Sequence, residues 1–600
     1  MDVLVPLPVA IPLLAATVIA TTGHFLGRRV DDAITLAATT ATLAISLTLA
    51  FEAKQHALVY WFGGWHPRGG IAIGIAFTAD EAGAAIAALA SLLTLAALVF
   101  SWRYFDEVGK LFTVLMLVFL GGMCGFSLSG DLFNMFVWFE LMSVAAYALT
   151  GYGVGAPAPI QGAVNFAVTN SVGSFCILFG IGLLYSRTGA LNLDQMGEAL
   201  AHHRPDGLVV VAFTLLTAGF LTKAGVVPFH FWLADAYSVA PLPVCVLLSG
   251  VMSDLGLHAV GRIYWPAFSG TLAVHSIRPV LVGFGLVTAI VGGVMCFLQR
   301  DLKRLLAFAT ISNIGIVLVG IALLTERGTA STTVYVNTNG LLRGALFLSV
   351  GILVRRLGVG DELSLRGRGR SAPVAAAVFV AGGLAIALVP PFGPFLANSL
   401  LVDSANAIGY TWVPPLVTVA TVLSAGTILR AAARIFGGLG VAEDPLLSGQ
   451  PPEAEEEPEQ GTRSSRPLMF GPALVLLATG VGLAFVPNVA GRALHDASRL
   501  LHRSERAREV LHGVVPPPEP LPSYEPSRAA YVWAAVSTVG ALAFAAFGLY
   551  RPRLPALLRR PLGLPARGLQ AVHSGVIGDY VTWLVVGVTI LGGLVAVVAR

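Results

Sequence analysis

The sequence predicts an all-α polytopic membrane protein of about 14–16 transmembrane helices, each long enough to cross a ~30 Å hydrocarbon core. Composition carries the first part of this reading. The chain is 56% apolar and 12% charged, with a mean hydropathy of +0.79, which excludes a soluble multidomain enzyme. Spacing carries the second part. Apolar runs of spanning length centre near residues 12, 42, 90, 120, 142, 173, 222, 252, 288, 314, 342, 389, 423, 477, 540 and 587. The third observation points to function. Among 37 basic residues only Lys54, Lys110, Lys223 and Lys303 are lysines, and Lys223 lies inside a long apolar run. Arginine keeps its proton, whereas a desolvated lysine can release one. A lysine at membrane depth usually marks an ion or proton path.

The opening stretch, MDVLVPLPVAIPLLAA, lacks a basic n-region and reads as the first span, not as a cleavable signal. Loops after spans 1, 3, 9, 11 and 13 are rich in Arg and Lys, with Arg28, Arg29, Arg355, Arg356 and Arg366 among them. The alternate loops carry fewer, so the N-terminus faces outward and odd-numbered loops face the cytoplasm. The net charge of +4 follows from this asymmetry and does not argue for nucleic acid. Cys124, Cys176, Cys245 and Cys296 are isolated, and no CxxC occurs. No GxGxxG or P-loop occurs either, so no cofactor, metal site or nucleotide is expected.

Span five, GDLFNMFVWFELMSVAAYALTGY, places Glu140 nine residues after Asp131. That is roughly 14 Å along a helix, near mid-bilayer. Span seven, from about Gly207 to Tyr237, would be roughly 46 Å long if straight, well beyond the core. Pro228 interrupts it close to Lys223. Span twelve, about Pro373 to Asp403, has the same excess and carries Pro390, Pro391, Gly393 and Pro394 at its middle. Paired interrupted spans point to a transport site. Thr169-Asn170 in span six and Thr338-Asn339 in span eleven echo one another. Together these features suggest a five-helix repeat, spans 4–8 and 9–13.

Glu140 and Lys223 at one depth can each favour the other's charged form, which couples their protonation. The alternative is a static ion pair that fixes packing. His230, seven residues past Lys223, either continues a proton relay or is a hydrogen-bonded packing residue. Asp254 and His258 are spaced i,i+4 in span eight and read equally as relay or static pair. Asp235 reads as a helix cap or loop anchor. Arg343 in span eleven keeps its charge and shapes the local field, with Asp403 as one possible partner.

Residues 441–466 are acidic and proline-rich and read as a disordered cytoplasmic linker. Residues 489–512 are basic and amphipathic, which suggests helices lying along the outer membrane face.

Four segments carry a family resemblance: GDLFNMFVWFELMSVAAYALTGY, TKAGVVPFHFWLADAYSVAPLPVCVLLSG, QRDLKRLLAFATISNIG and VPPFGPFLANSLL. Over roughly residues 75–435 the chain resembles the antiporter-like membrane subunits. These comprise the proton-pumping L/M/N-type subunits of respiratory complex I, the A- and D-type subunits of Mrp-type Na+/H+ antiporters, and the membrane subunits of energy-converting hydrogenases. The tail HSGVIGDYVTWLVVG is similar to C-terminal helices that some members carry.

The resemblance implies two inverted five-helix repeats, each with a broken helix. With the composition and hydropathy readings above, it divides the chain into N-terminal helices over 1–105, repeats over 106–265 and 266–436, an acidic disordered cytoplasmic linker over 437–466 and C-terminal helices with an amphipathic segment over 467–600. It matches Glu140, Lys223 and His230 to the family's glutamate, broken-helix lysine and following histidine, and Asp301, Lys303 and Arg304 to its cytoplasmic turn. Asp254, Arg343 and Asn398 stand where the family usually has lysines.

The implied function is translocation of protons, or Na+ against protons, in a multisubunit complex of the plasma membrane, with other membrane subunits as partners. In a complex I-like assembly this would be an NADH–quinone oxidoreductase membrane subunit without redox centres of its own. A second reading is a non-transporting scaffold or ion-gating partner of another catalytic subunit, for example in inorganic carbon uptake. An independent secondary carrier is a third.

Overall fold

The computed structural model of the chain describes residues 2–23, 25, 27–105, 109–153, 156–201, 205–444, 446–447, 467–553, 568–570, 572–573 and 575–599. Every apolar segment read from the sequence appears as a helix, because lipid forces backbone groups to bond within their own segment. The N-terminal group is α1 (Leu7–Thr22), α2 (Arg28–Glu52) and α3 (Glu81–Tyr104). Between α2 and α3 lies a feature the sequence reading lacked, an antiparallel hairpin of β1 (Leu58–Trp61) and β2 (Ala76–Ala79), with Leu58 opposite Ala79.

The central bundle begins with α4 (Lys110–Leu128), α5 (Leu132–Thr150), α6 (Pro157–Thr188) and a short α7 (Leu193–Ala201). A broken span follows, α8 (Gly207–Ala224) and α9 (Phe231–Val239), then α10 (Leu242–Leu247) continuing through a π segment, Leu248–Met252, into α11 (Ser253–Ile263). Next come α12 (Val274–Leu298), α13 (Leu302–Ala322) and α14 (Glu326–Leu357). A second broken span, α15 (Pro373–Ile386) and α16 (Gly393–Ala407), precedes α17 (Val413–Gly437). Among the described residues thirteen helices are long and apolar enough to cross a membrane.

Both broken spans interrupt where the sequence indicated. α8 ends because Gly225 adopts φ +77°, a conformation that costs a side-chain-bearing residue about 1–2 kcal/mol. The N–H groups of Gly225 and Val226 both bond back to Leu221 O at 3.0 Å, closing the helix end. Proline then prevents continuation in each case, at Pro228 and at Pro390-Pro391.

A further recurrence was not visible in the sequence reading. Asp131 caps α5 by accepting from Asn134 N, and Asp301 caps α13 by accepting from Arg304 N, each at 2.8 Å. Leu132 N bonds Leu191 O and Leu302 N bonds Gly360 O, both at 2.9 Å, so each cap is tied to the turn after the next long helix.

The C-terminal region holds α18 (Phe470–Gly482), α19 (Val489–Leu501), α20 (Arg503–His512), α21 (Arg528–Tyr550) and α22 (Ile577–Val598). α13 is wholly enclosed, whereas only 22% of α22 is buried. The centre of the bundle is therefore α13 and its neighbours, with α22 on the periphery against α8. Most of the expected linker, at 445 and 448–466, lies outside the described residues.

Residues 489–512 form α19 and α20, and several of their charged side chains are buried against protein. Arg506 lies 3.4 Å from Asp80 and 3.2 Å from Asp194, and Arg492 bonds Glu81 at 2.6 Å. Charge pairing at the end of the bundle holds α19 and α20, together with their small apolar faces, Ala490, Ala493 and Ala497 on α19 and Ala507, Val510 and Leu511 on α20.

Candidate functional site

Lys223 sits in the last turn of α8, just before the break, and is fully buried. Its ammonium donates to Ser143 Oγ at 2.5 Å and lies 4.7 Å from the Phe139 ring centroid and 5.8 Å from that of Phe166. Ring faces and one hydroxyl therefore replace its water shell. Ser143 gives its own proton to Phe139 O at 2.6 Å, which leaves a lone pair for the lysine. Trp232 Nε1, from beyond the break, donates to Thr222 O at 2.9 Å and stacks on Phe166 at 4.2 Å. The two halves of the broken span are thus stapled around the amine.

Glu140 is on the same face of α5 as Ser143, one turn away. Its Oε1 accepts from Ser174 of α6. Acid and amine thus lie in one neighbourhood, each bonded to its own serine, and among the described residues they do not form the direct ion pair the sequence allowed. Neither serine was singled out from sequence. The i,i+3 spacing of Glu140 and Ser143 was the available signal; Ser174, on another helix, left none.

Asp254 and His258 share α11, as their spacing predicts, yet they are not each other's partners. Arg343 Nη2 donates to Asp254 Oδ2 across the bundle, and both residues are buried. The fixed guanidinium on α14 is the stronger competitor for the carboxylate. Asp403 is accordingly not the partner of Arg343. It accepts from Tyr524 Oη at 2.8 Å and from Ser527. The π segment Leu248–Met252 ends immediately before Ser253 and Asp254, a distortion often found at functional positions.

Several buried polar atoms have no hydrogen-bond partner among the described residues. They include Thr169 Oγ1, Thr217 Oγ1, Asp254 Oδ1, His258 Nε2, Asn313 Nδ2, both polar atoms of the Asn339 side chain, and Arg343 Nε and Nη1. A small cavity beside Arg343 is lined also by Thr310 and Asn313. Orphaned buried polar atoms of this kind are normally satisfied by water.

His230 precedes α9, and its Nε2 faces His573 Nε2 at 3.1 Å. Asp235 lies within α9, not at a helix end. It accepts from Arg304 at 2.7 Å and from Tyr580 Oη, anchoring the α12–α13 turn and α22 together.

On the other end of the bundle, Asp80 caps α3 through Gly83 N at 2.9 Å and accepts from Arg262 at 2.5 Å. Burial alone would raise its carboxyl, but the Arg262 and Arg506 guanidiniums outweigh that and hold it well below its usual 3.8. Sequence reading missed this cluster, since its members come from four separated segments.

Residues 129–424 match the family model described as NADH:quinone oxidoreductase/Mrp antiporter, transmembrane. The chain is 30% identical to the N-type NADH-quinone oxidoreductase subunit of Desulforudis audaxviator, over 69% of this chain and 78% of that protein. It is 25% identical to the D-type Na(+)/H(+) antiporter subunit of Bacillus subtilis, over 85% of this chain and all of that protein. Among solved structures, one protein of the Mrp complex from Dietzia sp. DQ12-45-1b superposes with a TM-score of 0.75 at 25% identity, covering 85% of this chain and 100% of that one.

Proposed function

The chain belongs to the NADH:quinone oxidoreductase/Mrp antiporter transmembrane family, and from that premise we propose that it is a multi-pass plasma-membrane subunit that translocates protons, or Na+ against protons, within a multisubunit complex. Its partners are other membrane subunits of that complex. We take residues 106–265 and 266–436 as its two inverted repeats, a division favoured by the matching caps at Asp131 and Asp301.

One observation carries the mechanism: a fully buried lysine at a helix break, bonded to a serine one turn from a glutamate. Glu140 loads a proton and passes it through the Ser174–Ser143 neighbourhood to the Lys223 amine. An ammonium held by rings and one hydroxyl is poorly solvated, so a partner's change of field can drive its proton off. Asp254 receives charge next. Arg343 does not titrate and sets the field that biases it. His230 and His258 complete the polar route. The relatives' names do not favour the scaffold reading.

The test is proton flux in inverted vesicles carrying the intact complex. Lys223→Ala and Glu140→Gln should each reduce flux by at least about 100-fold, the usual range for a lost proton-transfer group. Wild-type flux in Lys223→Ala overturns the proposal.

A further inference from the structure

The C-terminal segment does more than flank the bundle. Asn165 Nδ2 of α6 donates to Gly575 O at 3.2 Å. The Tyr580 ring stacks on Phe231 at 5.3 Å, and its hydroxyl reaches Asp235. Gly587 lies so close to Pro228 and Phe229 that a Cβ there would meet them at 2.7 and 2.6 Å. α22 thus seats directly on the break of the α8–α9 span. These contacts hold His573, which is partly exposed, against His230, which is 2% exposed.

The bonding fixes the tautomers. A carbonyl can only accept, so His573 Nδ1 donates to Leu569 O at 2.9 Å. His573 Nε2 then bears a lone pair, and His230 Nε2–H donates to it across 3.1 Å. His230 Nδ1 is buried and has no well-formed hydrogen-bond partner among the described residues, so in this tautomer its lone pair is free to accept a proton.

We infer that His573, supplied by the C-terminal tail, is the outermost relay residue of the proton path, linking His230 to the surface. The inference rests on the translocation reading above. A proton arriving at His230 Nδ1 frees the Nε2 proton to move to His573 Nε2. His230 is left neutral and His573 becomes an imidazolium. His573 Nδ1–H then leaves its Leu569 O acceptor and gives its proton to water, and both rings turn over to restore the starting tautomers. Run in reverse, the same steps carry a proton inward. Asp235, Arg304 and Tyr580 are the other charged or titratable groups that face this pair, and they act as positioning residues because they clamp the tail.

Flux in vesicles of the intact complex tests this, with Lys223→Ala measured alongside. His573→Ala should lower flux at least about tenfold, and added imidazole should restore it, which a purely structural defect would not permit. Should His573→Ala prevent assembly, His573→Gln keeps a donor and an acceptor but cannot carry the proton. It should assemble and remain impaired to the same degree. Wild-type flux in His573→Gln, or a loss in an assembled His573→Ala complex that imidazole does not relieve, overturns the relay. If the His573 variants transport normally while Lys223→Ala does not, the relay alone fails. If Lys223→Ala also transports normally, the translocation reading fails with it.

Discussion

At the scale of single residues, the site turns on which charges can be lost. In the proposed path Lys223 and Glu140 are the groups that gain and lose a proton, whereas Arg343 opposite Asp254 keeps its charge. Removing one member of a buried pair strands the other, at about 3–5 kcal/mol. Asp254→Leu or Arg343→Met alone should therefore lower the thermal stability of the purified complex markedly. The double variant should recover most of that loss, because two apolar side chains replace two charges. Thermal unfolding in detergent of all four proteins measures the coupling. Recovery of stability without recovery of flux would separate the pair's structural role from its electrostatic one.

At the scale of elements, the broken spans decide where function sits. A continuous helix would satisfy its own carbonyls and give Lys223 only apolar neighbours. The break lets Trp232 fold back onto Thr222 O and presents the amine to α5. Gly225 makes that geometry possible at φ +77°, and a Cβ there would lie 2.6 Å from Leu233 Cδ1. Gly225→Ala should cost about 1–2 kcal/mol and reduce flux by displacing Lys223. Gly182→Ala, with open space around its Cβ, should change neither. Stability and flux measured together on both variants check this.

At the scale of the whole molecule, charge clusters tie distant parts of the chain across the bundle ends. Asp80 joins the hairpin, α11 and α20. Because its carboxyl is depressed in the folded protein, its stabilisation is complete above the unfolded value near 3.8. It is lost only as the pH falls through the lower folded value. Asp80→Asn should therefore destabilise the protein by a constant amount between pH 5 and 8, with the difference shrinking in strong acid. Unfolding temperatures across a pH series would show it.

The sequence alone determined the membrane class, the approximate spans and both helix breaks, and it singled out Glu140, Lys223, His230, Asp254 and Arg343 as candidates. Hydropathy, helix length and proline chemistry are local properties, and a lone lysine in an apolar run is conspicuous without any partner. Tertiary structure decided the pairings. Asp254 bonds Arg343, 89 residues away, not His258 on its own helix. Lys223 bonds Ser143 and Glu140 bonds Ser174, and the amphipathic segment contributes to a buried ion cluster. The tail brings His573 to His230, 343 residues earlier. Which charges meet depends on how helices pack across the bundle, and periodicity along one helix records the face a residue occupies but not the helix it faces.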